Sequence, residues 1–465
     1  MTTASIIQKI IAFVYFTIVA RHIGVEDTGI YFFVLSFTTI FVIFVDLGFS
    51  NVLIREAARA QEKMQHYIAT VLSIKLLFAV FTYIIAITTI YLLGYDIVVR
   101  QLVCVSAITM LFDSLNLTLY GVFRAYGNLV YEASASVMSQ LLTLVLGSIF
   151  LWLDYPLIFL MYAFLISSIL NSVFATSMLY RRYKLNIKIS YDRVLFRHML
   201  PIVIPFALAG IFGRVYSYID SVLLSKLAGN IAVGLYSVPH KIANAFQFIP
   251  LAVVAAFYPR FSEYFIHDRK KLDYAFHQGI KYLALVALPV SVGIYIIADP
   301  LVHAFFSTEY VGSILALKIF MIGLFFGFVN LFFGALFNAC NRQVFQTILI
   351  AIVMVLNIIL NIVLIPRYGV YGAAFASIGG AICMTLLGFF IVPRIVHLNA
   401  RFLWTHAFKI LLSVLIMGLA VCYTMRVAHF VVAIVVGAVV YSLMLLLSGA
   451  VKKEQIFGLF SLYTK

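Results

Sequence analysis

The chain has 465 residues, of which 64% are hydrophobic and only 11% are charged. Soluble domains usually contain about 45–50% apolar and about 25% charged residues. A chain with so little polar side-chain surface cannot cover a globule in water, so a bilayer is the solvent that fits it. The composition predicts an all-α polytopic membrane protein and excludes a soluble enzyme.

The formal net charge is +15, which in a soluble protein would favour a nucleic-acid partner. Here the basic residues fall in short gaps between apolar runs, a pattern that indicates membrane topology instead. The four cysteines stand singly in apolar runs, so no disulfide framework or zinc site is expected. No other metal site and no bound cofactor are expected either. They are Cys104, Cys340, Cys383 and Cys422.

Apolar runs of about twenty residues can each cross the hydrocarbon core. The first run contains Lys9 and lacks a small-residue cleavage site before Arg21, so it is predicted to be a span rather than a signal peptide. About fourteen spans are predicted in all, close to 3–20, 30–50, 67–93, 97–123, 130–153, 156–180, 200–225, 232–257, 277–299, 312–336, 343–365, 371–393, 404–425 and 428–450.

Lys and Arg are distributed unevenly between the two sides of the membrane. If the N-terminus is cytoplasmic, the cytoplasmic loops and tail carry about twenty-two of the 32 basic residues and the outer loops about five. Both termini are therefore predicted to be cytoplasmic, in a cell (inner or plasma) membrane. The cytoplasmic clusters are Arg55/Arg59/Lys63, Arg181/Arg182/Lys184/Lys188/Arg193/Arg197 and Arg260/Arg269/Lys270/Lys271/Lys281.

The chain repeats itself at an offset of 205 residues over its first two spans. The matched pairs are Lys9 with Arg214, Arg21 with Lys226, Gly24 with Gly229, Gly29 with Gly234, Tyr31 with Tyr236, and Arg55 with Arg260. Six spans per repeat give both repeats the same orientation, related by an axis along the membrane normal. This predicts an N-terminal lobe at 1–190, a C-terminal lobe at 191–397, and two extra spans with a short tail at 398–465.

Four segments resemble the polysaccharide-transporter family. They are ARHIGVEDTGIYFFVLSF, DLGFSNVLIREAAR, YSYIDSVLLSKLAGNIAVGLYSVPHKIAN and FYPRFSEY. The family comprises Wzx-like oligosaccharide-lipid flippases of the multidrug/oligosaccharidyl-lipid/polysaccharide exporter superfamily. The resemblance implies translocation of a polyprenyl-pyrophosphate-linked oligosaccharide from the cytoplasmic to the outer leaflet, for cell-surface polysaccharide biosynthesis. It also implies alternating access of two lobes around a cationic central cavity.

The head group of such a substrate cannot cross hydrocarbon unaided, because an unpaired charge there costs several kcal/mol or more. Five basic residues lie within the predicted spans, and we predict that they bind the phosphate charge: Arg214, Lys241, Lys9, Lys318 and Lys75. Arginine suits phosphate by bidentate donation, and lysine acts as a point charge. The alternatives are ion pairs with Asp113 or Asp220, and snorkelling to the membrane surface.

Asp220 and Asp113 are the acidic residues of interest within the spans. Each is predicted either to pair across helices or to serve as a proton or sodium site that couples transport to an ion gradient. Arg55 and Arg260 start cytoplasmic loops and are candidates for an inner gate or for recruiting the head group. Arg21 and Lys226 form the matching outer pair, with a gate or release role.

Two other functions remain open at this stage. A multidrug or organic-cation antiporter of the same superfamily would need an acidic or apolar cavity, whereas bases outnumber acids within these spans. A membrane polymerase or glycosyltransferase would usually carry catalytic carboxylates or a large outer loop. The transporter prediction comes with an expected monomer, contacts with membrane lipids and with polysaccharide-assembly enzymes, and no nucleic-acid partner.

Overall fold

The computed structural model describes residues 2–59, 61–185 and 189–450, and every regular element in these ranges is helical. Lys188, the side chain of Arg59 and the predicted tail from 451 onward lie outside the described residues. The helices are α1 Thr2–Asp46, α2 Phe49–Arg59, α3 Met64–Leu92, α4 Ile97–Ala125, α5 Val130–Trp152, α6 Ile158–Tyr183, α7 Arg193–Ala245, α8 Phe248–His267, α9 Arg269–Phe305, α10 Ser313–Ala339, α11 Gln343–Tyr368, α12 Val370–Ile391, α13 Ala400–Val427 and α14 Phe430–Leu447.

The structure confirms the all-α membrane fold. Within the described residues, 12 helical stretches are long and apolar enough to cross a membrane. Two of them, Thr3–Asp46 with 44 residues and Arg193–His267 with 75 residues, have the length of two crossings each. Ten single and two double stretches give the predicted fourteen crossings.

The predicted loops between spans 1 and 2 and between spans 7 and 8 are wrong. In both places two helices meet with a single non-helical residue between them, Gly24 in α1 (φ 76°, ψ 178°) and Gly229 in α7 (φ 84°, ψ 177°). This backbone conformation is essentially restricted to glycine. The two glycines are separated by the repeat offset, so the repeat is confirmed at the level of the backbone.

The two glycine breaks also pack against each other. A Cβ on Gly29 would lie 1.9 Å from the carbonyl oxygen of Asn230, and a Cβ on Gly234 would lie 2.0 Å from the carbonyl oxygen of Val25. Residues 25 and 230 are themselves equivalent in the repeat, as are 29 and 234. The contact is therefore reciprocal, which is the signature of a local two-fold axis.

Two further loop predictions need correction. Residues Phe49–Arg59 form α2, an amphipathic helix that begins after a left-handed turn at Leu47 and Gly48. The predicted loop 258–276 is helical apart from a short break before Arg269. Through the prolines and glycines at 201–213, α7 keeps helical dihedral angles, which it leaves only at Gly229.

The segment between the repeats is anchored at Asp192. Its carboxylate accepts the backbone N–H of Leu195 and Val194, at 3.1 and 2.7 Å, and lies 2.7 Å from the ring of His66 on α3. These contacts hold the pKa of Asp192 below its usual range, the Leu195 N–H contributing most. The start of α7 is thereby fixed to α3.

The chain divides into two compact units, Met1–Ser237 with Ile350–Ala373, and Val238–Leu349 with Ala374–Lys465. In the first unit α1 packs on α3, α4 and α5, and α6 packs on α4 and α5. In the second unit α9 packs on α8 and α10, and α13 packs on α9 and α14. The lobes predicted at 1–190 and 191–397 stay a prediction.

Replacing Gly29 or Gly234 by alanine should destabilise the protein, because the added methyl group meets a backbone carbonyl that has no room to move. Overpacking of this kind costs about 1–3 kcal/mol. Thermal unfolding of the purified protein in detergent should show a lower midpoint for either variant. Gly293→Ala is the matched control, since a Cβ there meets nothing within 4 Å. Unchanged midpoints for both variants would contradict the close helix contact.

Candidate functional site

The matched cations Lys9 and Arg214 both lie within spans, Lys9 on the first half of α1 and Arg214 on α7. The side chain of Lys9 is half-buried and that of Arg214 is exposed. Neither makes a hydrogen bond or an ion pair with any residue that the structure describes. A cation left unpaired at this depth is costly in lipid, which favours a polar surface that receives a ligand.

Lys241 and Lys318 belong to the second unit. Lys241 is half-buried on α7, just after Pro239, where the helix continues without a break. The ammonium of Lys318 lies 5.8 Å from the centre of the Tyr295 ring, a cation–π contact near one end of α10. The structure thus gives Lys318 an aromatic neighbour, and the roles of both lysines in binding stay predictions.

Lys75 is not an open cation. It is buried on α3 and forms an ion pair with Asp46, with its Nζ 2.6 Å from Oδ1. The same ammonium donates to the Ser114 carbonyl at 2.7 Å and to Thr118 Oγ1 at 2.6 Å. Its three protons are therefore taken by the protein, and Lys75 leaves the set of substrate-binding candidates.

The partner of this pair, Asp46, fixes the turn between α1 and α2. Its carboxylate accepts the backbone N–H of Gly48 at 3.1 Å and of Ser50 at 3.3 Å. The pair thereby ties the end of α1 and the start of α2 to α3 and α4. The sequence prediction missed this pair because it assigned Lys75 to phosphate binding and considered only Asp113 and Asp220 as ion-pair partners.

Asp220 lies at the centre of a buried polar cluster within the first unit. Its Oδ2 accepts the hydroxyl of Tyr236 at 2.8 Å, and its Oδ1 accepts the amide of Asn361 at 2.7 Å. Asn361 also donates to Asn357 on the same helix. Asp220 is thus hydrogen-bonded across helices, and no basic side chain forms an ion pair with it among the described residues. Its predicted role as a proton or sodium site stays a prediction.

The equivalent position in the first repeat is occupied by a different group. Asp220 and Tyr236 correspond at the offset of 205 to Tyr15 and Tyr31. Both tyrosines are 2% exposed and both pack against the Phe164 ring. Both repeats have a tyrosine at the later position, Tyr31 and Tyr236, whereas the earlier position is a tyrosine in the first repeat and an acid in the second.

Asp113 lies near the middle of α4, which has 29 residues, and its side chain is exposed. One carboxylate oxygen accepts the hydroxyl of Ser168 on α6. No ion pair to Asp113 is present among the described residues, so the predicted pairing with a basic residue is not seen there.

The four predicted gate or recruitment residues are all exposed: Arg55, Arg260, Arg21 and Lys226. Arg55 lies on α2, with Nε 3.6 Å from Oε1 of its neighbour Glu56. Arg260 lies on α8 and Arg21 three residues before the α1 break. Their exposure is compatible with the predicted roles, which the structure does not test.

Lys226, Tyr95, Ser225 and Asn230 form a set of polar contacts beside the glycine break of α7, which we call the Lys226 strap. The Lys226 ammonium donates to the Leu93 carbonyl at 2.6 Å and lies 5.2 Å from the Tyr95 ring centre. The Tyr95 hydroxyl donates to Ser225 at 3.2 Å, and Ser225 donates to Asn230 at 3.2 Å. The α3–α4 turn is thus fastened to α7 where the two repeats pack together.

The model of the family described as polysaccharide biosynthesis protein matches residues 1–265, more than half of the chain. The chain belongs to this family. A second family model, lipid II flippase MurJ, matches residues 241–441. These matches confirm the family resemblance that the sequence motifs indicated.

Individual proteins agree with that membership. The chain is 23% identical over 386 residues to the capsular polysaccharide biosynthesis protein CapF of Staphylococcus aureus, covering 80% of this chain and 93% of CapF. A structure of lipid II flippase MurJ, in an inward closed conformation, superposes with a TM-score of 0.78 at 18% identity, covering 95% and 97% of the two chains. An inward-facing multidrug resistance MATE transporter gives a TM-score of 0.69 at 18% identity, covering 83% and 94%. The two structural likenesses show the fold.

Lys75→Ala should be strongly destabilising, because it leaves the Asp46 carboxylate buried without its counter-charge. Removing one partner of a buried pair costs about 3–5 kcal/mol. The double variant Lys75→Met with Asp46→Asn should recover part of this loss, because the amide leaves no unpaired charge and can still accept a backbone N–H. Thermal unfolding in detergent measures both effects. A double variant as unstable as Lys75→Ala alone would show that the pair is not the cause.

Proposed function

We propose that this protein translocates a polyprenyl-phosphate- or pyrophosphate-linked oligosaccharide from the cytoplasmic to the outer leaflet, as a transporter without a covalent step. The observation that supports this most directly is Arg214, an exposed guanidinium in mid-span that no described residue neutralises. Lys9 occupies the equivalent place in the first repeat. Two repeat-related cations of this kind suit a doubly charged phosphate group.

The physical role of these cations is to replace water around the phosphate. A phosphate charge that enters hydrocarbon loses its hydration, at a cost of many kcal/mol. A guanidinium offers paired N–H donors that match phosphate oxygens, and a lysine adds a second point charge. The polyprenyl tail needs no such help, because it stays in the lipid phase.

Two alternatives are weaker. A multidrug or organic-cation antiporter shares the fold, as the MATE likeness shows, but the unpaired bases Lys9 and Arg214 would repel a cationic drug. A polymerase or glycosyltransferase acting on lipid-linked sugars would act at a catalytic carboxylate. The exposed mid-span carboxylate that we identify, Asp113, accepts a hydrogen bond from Ser168 and from no other residue that the structure describes, an arrangement that favours hydrogen bonding over catalysis.

We propose that the packed glycine breaks and the Lys226 strap form the closed outer gate. Opening this gate would separate Gly29 from Asn230 and Gly234 from Val25, and would release Lys226 from the Leu93 carbonyl. On the opposite side, Arg55 and Arg260 would attract the phosphate of a lipid in the cytoplasmic leaflet. With this assignment, both chain termini would lie in the cytoplasm and the protein in the cell membrane.

Transport against a gradient needs an energy source, and we propose that Asp220 is where a proton or sodium ion couples to it. The cluster fits such an ion, because Asp220 is 4% exposed and the neighbouring Asn361 Oδ1 is buried with no hydrogen-bond partner among the described residues. Asp220, Asn361 and Asn357 would supply the oxygens. The protein is expected to work as a monomer alongside enzymes of polysaccharide assembly.

Arg214→Ala should reduce translocation of a fluorescent polyprenyl-pyrophosphate-linked oligosaccharide in proteoliposomes by at least about tenfold, the equivalent of one charge-assisted hydrogen bond. Arg214→Lys should keep part of the activity, because the charge stays while bidentate donation is lost. Arg426→Ala, at the exposed end of α13, is the control and should match the wild type. Wild-type rates in folded Arg214→Ala would remove the head-group assignment.

Asp220→Asn should abolish the acceleration of transport by an imposed proton or sodium gradient, because the amide carries no charge to exchange. Rates in proteoliposomes are compared with and without each gradient, and the responding gradient identifies the ion. Asp154→Asn, in an exposed turn, should respond as the wild type does. An undiminished response in Asp220→Asn would place the coupling elsewhere.

A further inference from the structure

Asp113 presents an unexplained charge. It lies at mid-depth of α4 with its side chain exposed, and the Ser168 hydroxyl is its one hydrogen-bond partner among the described residues. A carboxylate exposed to lipid at this depth is strongly unfavourable, and such residues usually line a water-filled substrate or ion path. Neither the phosphate-binding role nor the coupling role proposed above uses it.

The carboxylate is held in place by a polar row between α4 and α6. Ser168 donates its hydroxyl proton to Asp113 and in turn accepts the Asn116 amide at 3.3 Å. Ser172 donates to Asn116 Oδ1 at 2.8 Å, and one turn further Tyr120 donates to Asn171 at 2.7 Å. Ser172, Asn116 and Ser168 form one connected chain of hydrogen bonds that ends on Asp113, so one carboxylate oxygen has a fixed donor while the side chain as a whole stays exposed.

The surroundings of Asp113 differ from those of Asp220, and the difference points to different ligands. Asp220 is enclosed, with the Asn361 amide donating to one carboxylate oxygen and the Tyr236 hydroxyl donating to the other, an arrangement suited to a bare ion. Asp113 is open and has a single hydroxyl that donates to it, so it lacks the several oxygen ligands that a cation requires. A fixed, open carboxylate is instead an acceptor for O–H and N–H groups.

We propose that Asp113 binds the sugar of the cargo, accepting hydrogen bonds from its hydroxyl or acetamido groups. This inference rests on the proposed function, since it identifies what the first repeat contacts while Arg214 holds the phosphate. A carboxylate at this position selects neutral and N-acetylated sugars and repels a sugar that carries its own carboxylate. Asp113 is thus a specificity determinant, and Ser168 is its positioning residue.

The test compares two lipids that differ only in the sugar. A fluorescent polyprenyl pyrophosphate bearing an N-acetylhexosamine disaccharide, and the same lipid without sugar, are titrated onto the purified protein in detergent. The wild type should bind the sugar-bearing lipid about tenfold more tightly. Asp113→Asn should bring the two affinities within about twofold, while affinity for the sugar-free lipid stays at the wild-type value.

Two further variants separate the possible causes. Ser168→Ala should reduce the sugar preference only partly, because the carboxylate remains but loses its orientation. Arg214→Ala should weaken both lipids equally, so a loss of phosphate binding and a loss of sugar binding are distinguishable. Thermal unfolding midpoints verify that each variant is folded.

Three outcomes would overturn the proposal. The first is a wild type without preference for the sugar-bearing lipid, and the second is an Asp113→Asn variant that keeps this preference. The third is an Asp113→Asn variant that binds both lipids equally weakly and, in proteoliposomes, loses its response to a proton or sodium gradient, which would make Asp113 a coupling residue. If Arg214→Ala instead bound both lipids with wild-type affinity, the proposed phosphate-binding role would be contradicted and the sugar assignment would stand.

Discussion

The cost of a fixed charge in hydrocarbon governs this structure. The protein meets it in two different ways. Lys75 and Asp46 neutralise each other and are surrounded by hydroxyl and carbonyl groups, so together they act as a rigid joint between α1, α2, α3 and α4. Arg214, Lys9 and Asp113 have no opposite charge beside them among the described residues. A polar cargo gains the most interaction free energy at these unpaired charges within the spans, because lipid cannot supply such an interaction.

The two repeats have kept the same backbone contacts at their glycine breaks, whereas their polar side chains differ. Gly24 and Gly229 adopt the same rare conformation, and the contacts of Gly29 and Gly234 are reciprocal. The first pair needs a conformation that favours glycine, and in the second pair a Cβ would lie within 2.0 Å of a carbonyl oxygen, so any other residue is unfavourable at these positions. The side chains on the same helices face no such restriction and have diverged.

Sequence reasoning was most successful where a single physical rule dominates. Hydrophobic length determined the number of spans, and the spacing of scarce glycines and bases revealed the repeat. It failed where tertiary contact decides. The sequence around Gly24 predicts a loop, since it combines glycines with acids, but packing against α7 keeps both sides helical. Lys75 was placed in a cavity because nothing in one sequence shows that Asp46, 29 residues earlier, reaches it.

The polar side chains also divide in a way that the sequence could not reveal. Asp220 and Asp113 are both acids in mid-span, and only their neighbours distinguish an enclosed cluster from an open one. The hydrogen-bond partners of the two acids come from helices distant in sequence, α11 for Asp220 and α6 for Asp113.

Divergence between the repeats has a consequence for transport. Tyr15 and Asp220 occupy equivalent positions, beside Tyr31 and Tyr236 respectively, yet a phenol cannot hold an ion as a carboxylate does. A coupling site in one repeat and a sugar acceptor in the other would let the two halves respond to different ligands. A ligand shifts a conformational equilibrium only through its different affinity for the two states. The ion, bound in the second repeat, and the cargo, bound in the first, would therefore each shift the equilibrium between the open and closed forms of the same outer contact. The outer contact can then be two-fold symmetric, while the ligands that shift its equilibrium differ between the two repeats.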